Sequence, residues 1–411
     1  MVEAAQIGAL IRDARERRDI SQQRVAEALG IPRTAVTNIE AGTRNVSTLE
    51  LTKLATLLNL PIAAFFDGSG SSDLAVVRAR ALSEAANSPA FGPVVDRMIE
   101  FCREGAELRR LLDQETPSTL PNYGQRITNA GDAVRQGEAR AREERRRLGL
   151  GNAPIGSLPE LIATQGVWVA SAGRDFPANI SGLFLHHPAL GLAILINGSH
   201  DPVRRRFSYA HEYGHALFDR QEELRLTLDR NATELVEKRA NAFAAAFLMP
   251  AGGVLDQLRS LGKGQPSRQA QVVYSVATDL ADEAEIRPRS GSQSVTFQDV
   301  AVMARHFGVS YEAMVWRLRN LDQIDTPATT ILLEKKEDGR RLARVLHMPS
   351  LFDREQVSDD KDDELRGQIA RLAIEAYRQE EISQGRLREI GRKIGLKAAE
   401  LLELAEMTRR A

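Results

Sequence analysis

His211-Glu212-Tyr213-Gly214-His215, inside FSYAHEYGHALF, is the stretch whose residue types and spacing could most directly do chemistry. On a helix, residues at i and i+4 share a face. Both imidazoles can then reach one zinc ion (Zn2+), with Glu212 beside it. Zinc in such a place acts as a Lewis acid and lowers the pKa of water, and Glu212 is the natural general base. Ala210, Leu217 and Phe218 supply apolar flanks, and Asp219 and Arg220 stand where polarity should return.

A catalytic zinc takes three protein ligands and leaves a fourth position for water. TELVEKRANAFAAAFLMP, residues 233–250, reads as one helix. Its apolar stripe is Leu235, Ala240, Phe243, Ala244, Phe247 and Leu248, and Pro250 ends it. Glu234 and Glu237 fall on the polar side. Glu237 lies one turn before Asn241, a spacing that suits a carboxylate ligand with a polar neighbour behind it. The same spacing suits a solvated glutamate paired with Lys238 or Arg239. A donor to a developing oxyanion is also expected. Tyr209, His186, His187 and His200 are near the motif, and the sequence does not choose among them.

FSYAHEYGHALF followed by EKRANAFAAAFLMP resembles the ImmA/IrrE family of metallopeptidases. ISGLFLHH at 180–187, AILIN at 193–197 and RRRF at 204–207 occur in the matching order. The resemblance covers roughly residues 140–320. It implies a zincin-like centre with His211, His215 and Glu237 as ligands, Glu212 as general base and Asn241 behind the ligands. Glu234 is the fallback ligand. Ser208 stands where the family often has Thr, which keeps the hydroxyl.

Residues 7–66 form a second unit. Ile7, Leu10, Ile11 and Ala14 have helical spacing. Ser21 is placed to cap a helix QQRVAEALG with Val25, Ala26 and Leu29 inward, and Gly30 to end it. IPRTAVTNIEAG gives a short third helix with Ala35, Val36 and Ile39 inward, and the leucines at 49–58 give two more apolar stretches. This layout, with SQQRVAEALGIPRTAVTNIEAGTRN, resembles the XRE (Cro/C1-type) helix-turn-helix family. The resemblance implies a double-stranded DNA operator as partner. Arg33, Thr34, Thr37 and Asn38 would face base edges, Gln22 base or phosphate, and Arg44 phosphate. Residues 1–67 carry eight basic and eight acidic residues, and Glu27 and Glu40 would repel phosphate if they faced it. So weak a net charge argues for binding as a homodimer on two half-sites.

The elements that position these groups can be laid out along the 411 residues. The expected fold is multidomain and mainly α. A five-helix DNA-binding domain spans 1–67, a helical linker or assembly segment 68–127, an α+β zincin-like peptidase domain 128–325, and a helical C-terminal domain 326–411. DGSGSSD at 67–73 has linker composition. Residues 128–148 read as a charged helix with a mostly solvated face. GVWVAS, ISGLFLHH and LAILIN read as strands. Residues 251–285 read as broken helix, and 295–324 as two helices resembling a degenerate second helix-turn-helix. Arg317 and Arg319 there are expected in solvent. DDKDDE at 359–364 is expected exposed. Residues 369–407 read as two or three helices, with Arg386, Arg388, Arg392, Lys393 and Lys397 as a possible second nucleic-acid contact.

Net charge of −1 excludes a global attraction to nucleic acid or membrane. One cysteine, Cys102, excludes an intramolecular disulfide and a cysteine-based zinc site. The apolar run at 190–196 is too short to span a bilayer, and the N-terminus has no apolar signal core. A cytoplasmic protein of a bacterium or phage is the economical expectation. The expected function is a DNA-binding transcriptional regulator whose zinc-dependent peptidase domain cleaves a specific repressor or antitoxin-like protein. Two rivals are a non-proteolytic transcription factor using zinc as a metal or ligand sensor, and an autorepressor in a toxin–antitoxin or phage-defence system.

Overall fold

The computed structural model describes residues 7–8, 11–12, 15, 20–58, 91–114, 120–173, 176–177, 179–221, 224–228, 234–263, 269–275, 280–286, 293–345 and 363–410. The expected linker at 67–73, the fifth helix of the N-terminal unit, most of its first helix and most of DDKDDE lie outside the described residues.

The N-terminal unit contains α1 (Gln22–Leu29), α2 (Arg33–Glu40) and α3 (Thr48–Leu57). Ser21 Oγ accepts the Arg24 N–H at the start of α1. Gly30, at φ 73°, turns the chain into α2 and returns its own N–H to Ala26 and Glu27. Val25, Leu29, Val36, Ile39, Leu51 and Leu54 meet Ile11 in a small closed core.

A four-stranded sheet organises the rest. Its strands are β1 (Trp168–Ala172), β2 (Ile180–His187), β3 (Gly191–Asn197) and β4 (Leu224–Leu228), in the order β1-β3-β2-β4. β1 runs parallel to β3, and β2 is antiparallel to both its neighbours. Period-two alternation sends side chains to two different cores. Val169, Phe184, Ile194 and Ile196 pack on one face with α5 (Ala130–Arg147), α6 (Leu158–Thr164), α7 (Pro202–Phe218) and α8 (Leu235–Leu248). Trp168, Ala170, Leu183, Leu185, Leu195, Leu224 and Leu226 face the other way, onto α4 (Phe91–Leu111) and the C-terminal helices. Both faces are covered, which is why the strand sequences read as nearly unbroken apolar runs.

Several elements depart from the sequence expectation. α5 is helical as expected and mostly reaches solvent, but one face does not: it lies against α8, and Glu144 and Arg145 are buried. The approach is close because position 137 is glycine; a Cβ there would sit 2.5 Å from the Arg239 carbonyl oxygen. Among the described residues of 251–285, only α9 (Ala251–Ser260) is helical. They then form an antiparallel hairpin of β5 (Gln269–Ser275) and β6 (Leu280–Ile286), where Val272, Val273 and Tyr274 favour a strand. The two helices at the expected pair are α10 (Phe297–Phe307) and α11 (Tyr311–Asn320). Arg317 is not in solvent. It is buried, donating through Nε to the Met249 carbonyl (3.0 Å) and through Nη1 to Glu138 (2.5 Å). α12 (Thr326–Glu334) and α13 (Lys336–Val345) complete this side.

The C-terminal helices are α14 (Asp363–Arg378), α15 (Gln384–Lys393) and α16 (Ala398–Arg410). With α4 they cover the second face of the sheet through Phe91, Met98, Phe101, Leu365, Ile369, Leu387, Ile390 and Leu401. Cys102 is buried there as a small apolar residue. Gln368 covers the open edge of β1. Its side-chain amide donates to the Val167 carbonyl and accepts the Val169 N–H, both at 2.9 Å, as another strand would. Glu364, at the end of DDKDDE, is not free in solvent: it accepts hydrogen bonds from Tyr209 and Ser171. Among the tail's basic residues, Arg386 and Lys393 pair with the buried Glu104 of α4 at 2.6 and 3.0 Å, and Lys397 pairs with Glu400.

Candidate metal centre and DNA-reading surface

α7 begins with Asp201, whose side chain accepts the Arg204 N–H, and Pro202 at its first position. α7 and α8 lie on the same face of the sheet, and they bring three donors together. His211 Nε2 is 3.0 Å from His215 Nε2 and 3.0 Å from Glu237 Oε2, and His215 Nε2 is 3.6 Å from Glu237 Oε2. Ligands at zinc distances in a tetrahedral array stand about 3.3 Å apart, which this triangle brackets.

The far side of each imidazole sets its tautomer. His211 Nδ1 lies 3.0 Å from Asn241 Oδ1, and His215 Nδ1 lies 2.8 Å from Asp219 Oδ2. Both partners are acceptors, so both Nδ1 atoms carry hydrogen and both Nε2 lone pairs point into the triangle. Three acceptors facing one another in a buried place favour a positive charge between them, a shared proton or a metal ion. Burial lowers the pKa of His215, but Asp219 and Glu237 outweigh it and raise it to about 10. Burial likewise opposes the charge on Glu237, yet His211 and His215 hold its carboxyl far below the usual range. These residues fit a resident zinc ion.

Asp219 is a correction to the sequence reading. It is buried rather than exposed, holding His215 and accepting Arg239 Nη2 at 2.5 Å. Its place one turn after His215 was the available signal. Glu234, the fallback ligand, is turned away to Arg225, whose Nη2 donates to it at 2.8 Å; the same arginine donates through Nε to Glu237 Oε1 at 2.9 Å.

Glu212 is fully buried. Burial raises its pKa, while His215, His211 and the hydroxyl of Thr227 pull it back. Thr227 sits on β4 opposite Gly182 of β2. A Cβ at Gly182 would collide with Glu212 Oε1, so glycine makes the space that the carboxylate fills. Of the oxyanion candidates, Tyr209 donates to Glu364 at 3.0 Å, and His186 Nδ1 lies 2.7 Å from the Arg220 carbonyl. His187 Nδ1 accepts the Ala189 N–H, and His200 lies in the turn between β3 and α7. β4, with Arg225 and Thr227, was missed by sequence reasoning.

On the N-terminal unit, Arg33, Thr34, Thr37 and Asn38 are exposed along α2. Gln22 lies beside them, its Oε1 3.5 Å from Arg33 Nε and 3.4 Å from Thr37 Oγ1. Glu40 does not face phosphate. It is buried, bound by Arg15 at 2.6 and 3.0 Å and by Gln22 Nε2 at 2.8 Å. Arg44 pairs with Glu50 at 2.8 Å.

A helix-turn-helix head and a helical α+β unit centred on HExxH define a DNA-binding regulator that carries a metallopeptidase-type domain. Comparison with known proteins agrees. The helix-turn-helix family model matches residues 11–65, and the peptidase family described as IrrE N-terminal-like domain matches residues 172–284. Over 62 residues the chain is 39% identical to the ImmF control region 10 kDa protein of Bacillus phage phi105, a span that is 15% of this chain and 69% of that protein. The crystal structure of Bacillus thuringiensis PlcR with the peptide PapR7 and DNA aligns over 98% of this chain and 96% of its own, at 12% identity and a TM-score of 0.18. So low a score establishes no common architecture. The chain belongs to the XRE-type helix-turn-helix family and carries an IrrE/ImmA-like peptidase domain, a zinc-dependent family. Among the described residues no helix is long and apolar enough to cross a membrane.

Proposed function

We propose that this protein is a zinc peptidase tethered to DNA, which cleaves a specific repressor or antitoxin-like regulator near the operator it binds. One observation carries the reading: three lone pairs from His211, His215 and Glu237 converge in a buried place, beside the carboxylate of Glu212. Zinc held by those three would supply a Lewis acid and lower the pKa of water. Glu212, its pKa raised by burial, would accept a proton from the attacking water and return it to the leaving amine. Asn241 and Asp219 would hold the two imidazoles in the ligating tautomer.

The head would read DNA through Arg33, Thr34, Thr37 and Asn38, with Gln22 and Arg44 alongside. A homodimer on paired half-sites in the cytoplasm would bring the peptidase to a regulator bound at the same promoter. Local concentration would then supply part of the selectivity. We assign the head to 1–67, the linking segment to 68–127, the peptidase unit to 128–325 and the C-terminal helices to 326–411.

Metal analysis by mass spectrometry on wild type and Glu237→Ala tests the centre. About one zinc per chain in wild type, lost from a folded variant, is expected. Profiling of new protein N-termini in cells carrying wild type or Glu212→Gln tests turnover. A cleavage product present only with wild type supports a peptidase. If regulation persists in Glu212→Gln with zinc bound and no product in either strain, the domain is a metal sensor.

A further inference from the structure

The third donor, Glu237, has two oxygens, and they have different partners. Oε2 faces His211 and His215 at 3.0 and 3.6 Å, and Oε1 accepts Arg225 Nε at 2.9 Å. Arg225 is itself held at the other end of its guanidinium, where Nη2 donates to Glu234 at 2.8 Å. Its side chain is only 12% exposed. The backbone beneath is fixed: Arg225 pairs with Phe184 of β2, between Leu224 and Leu226, which are buried on the opposite face. The sequence LRLTL thus sends Arg225 and Thr227 to one side of β4, toward Glu237 and Glu212 respectively.

A carboxylate can bind a metal through one oxygen or two. Two would occupy the position that a catalytic centre keeps open for water and substrate. An arginine fork is rigid and directional, and a hydrogen bond to a carboxylate oxygen competes for the lone pairs a metal would use.

We propose that Arg225 is a positioning residue that reserves Oε1 of Glu237, so that the carboxylate ligates through Oε2 alone and one coordination position stays open. This rests on the reading that His211, His215 and Glu237 hold the metal. Arg225 touches neither substrate nor metal in this role.

The test uses the full chain with cobalt(II) in place of zinc, read by visible absorption, which is stronger for four-coordinate than for five-coordinate cobalt. Arg225→Gln and Arg225→Lys are compared with wild type, each checked for folding by circular dichroism. The expected result is an intense band in wild type, a weakened one in Arg225→Gln, and recovery toward wild type in Arg225→Lys, whose ammonium can still donate to Oε1. X-ray absorption should count one more oxygen around the metal in Arg225→Gln. An unchanged spectrum in both folded variants overturns the proposal. So does loss of cobalt from folded Arg225→Gln, since the arginine would then hold the ligand in place rather than select between its oxygens. Failure of the folded wild-type chain to bind cobalt instead sinks the metal-centre reading itself.

Discussion

Glu212 stands where it does because residue 182 has no side chain. Gly182→Ala should therefore keep the metal while displacing the base. A Cβ there would also lie within 3.0 Å of Glu212 Cγ and Cδ, so most of a fully buried side chain must move. On the proposed function we expect zinc retained, turnover lost and stability lowered by about 1–3 kcal/mol. Metal analysis and a cleavage assay on the same preparation check this. Asp219 predicts the opposite for the metal. Asp219→Ala would release His215 and leave Arg239 without its carboxylate partner in a buried place. It should lower zinc affinity about 10- to 100-fold and stability by about 3–5 kcal/mol, read by chelator competition and urea unfolding. The HExxH pair and Asn241 were legible because helical spacing alone puts residues four apart on one face. Asp219 has that spacing too, but an acidic residue at a helix end reads as solvent-facing until Arg239 is seen to meet it. Glu234 and Glu237 share a polar side, and periodicity could not separate them. Their places separate them: Glu234 is the N-cap of α8 and pairs with Arg225, whereas Glu237 lies in the first turn and reaches both histidines.

At the scale of elements, segments with a continuous apolar run or stripe were readable, and those rich in charge or alternating with polar residues were not. β1, β2 and β3 are apolar runs and α8 is a clean amphipathic stripe, so their patterns survive the fold. β4 is no shorter than β1, at five residues, but a polar side chain at every second position leaves it without an apolar run to mark it. α5 carries a run of arginines, and the rule that charge seeks water misled. Glu144 is buried because Arg147 and Tyr213 satisfy it, and Arg145 because carbonyls of Gly151, Ala153 and Phe247 do. The α5–α8 contact depends on Gly137. Gly137→Ala improves helix propensity yet should destabilise by about 1–3 kcal/mol, because the added methyl meets backbone of α8. Urea unfolding measures it. On α2, Asn38→Ala should weaken operator binding by about 1–3 kcal/mol if Asn38 reads a base edge, and leave binding to unrelated DNA nearly unchanged. Titration of both DNAs at one salt concentration distinguishes this from loss of a phosphate contact.

At the scale of the whole molecule, the sheet is shared between layers that lie far apart in sequence. The sequence located the C-terminal helices but not their seat, because a helix stripe reveals that a face is covered and not by what. Ending the chain after residue 345 would strip Leu365, Ile369, Leu387 and Ile390 from the sheet and uncover the edge of β1. Such a chain should aggregate or bind a hydrophobic dye, whereas wild type should not; light scattering and dye fluorescence are the readouts. The span between Val169 and the glutamine that closes its edge is 199 residues. A ribosome adding about 5–20 residues per second needs roughly 10 to 40 seconds to cross it. The N-terminal helices can close around their own small core long before then. During synthesis, therefore, the helix-turn-helix head emerges while the sheet behind it still waits for its floor, and, on the proposed function, a nascent or prematurely terminated chain would be able to find an operator before it could cut anything there.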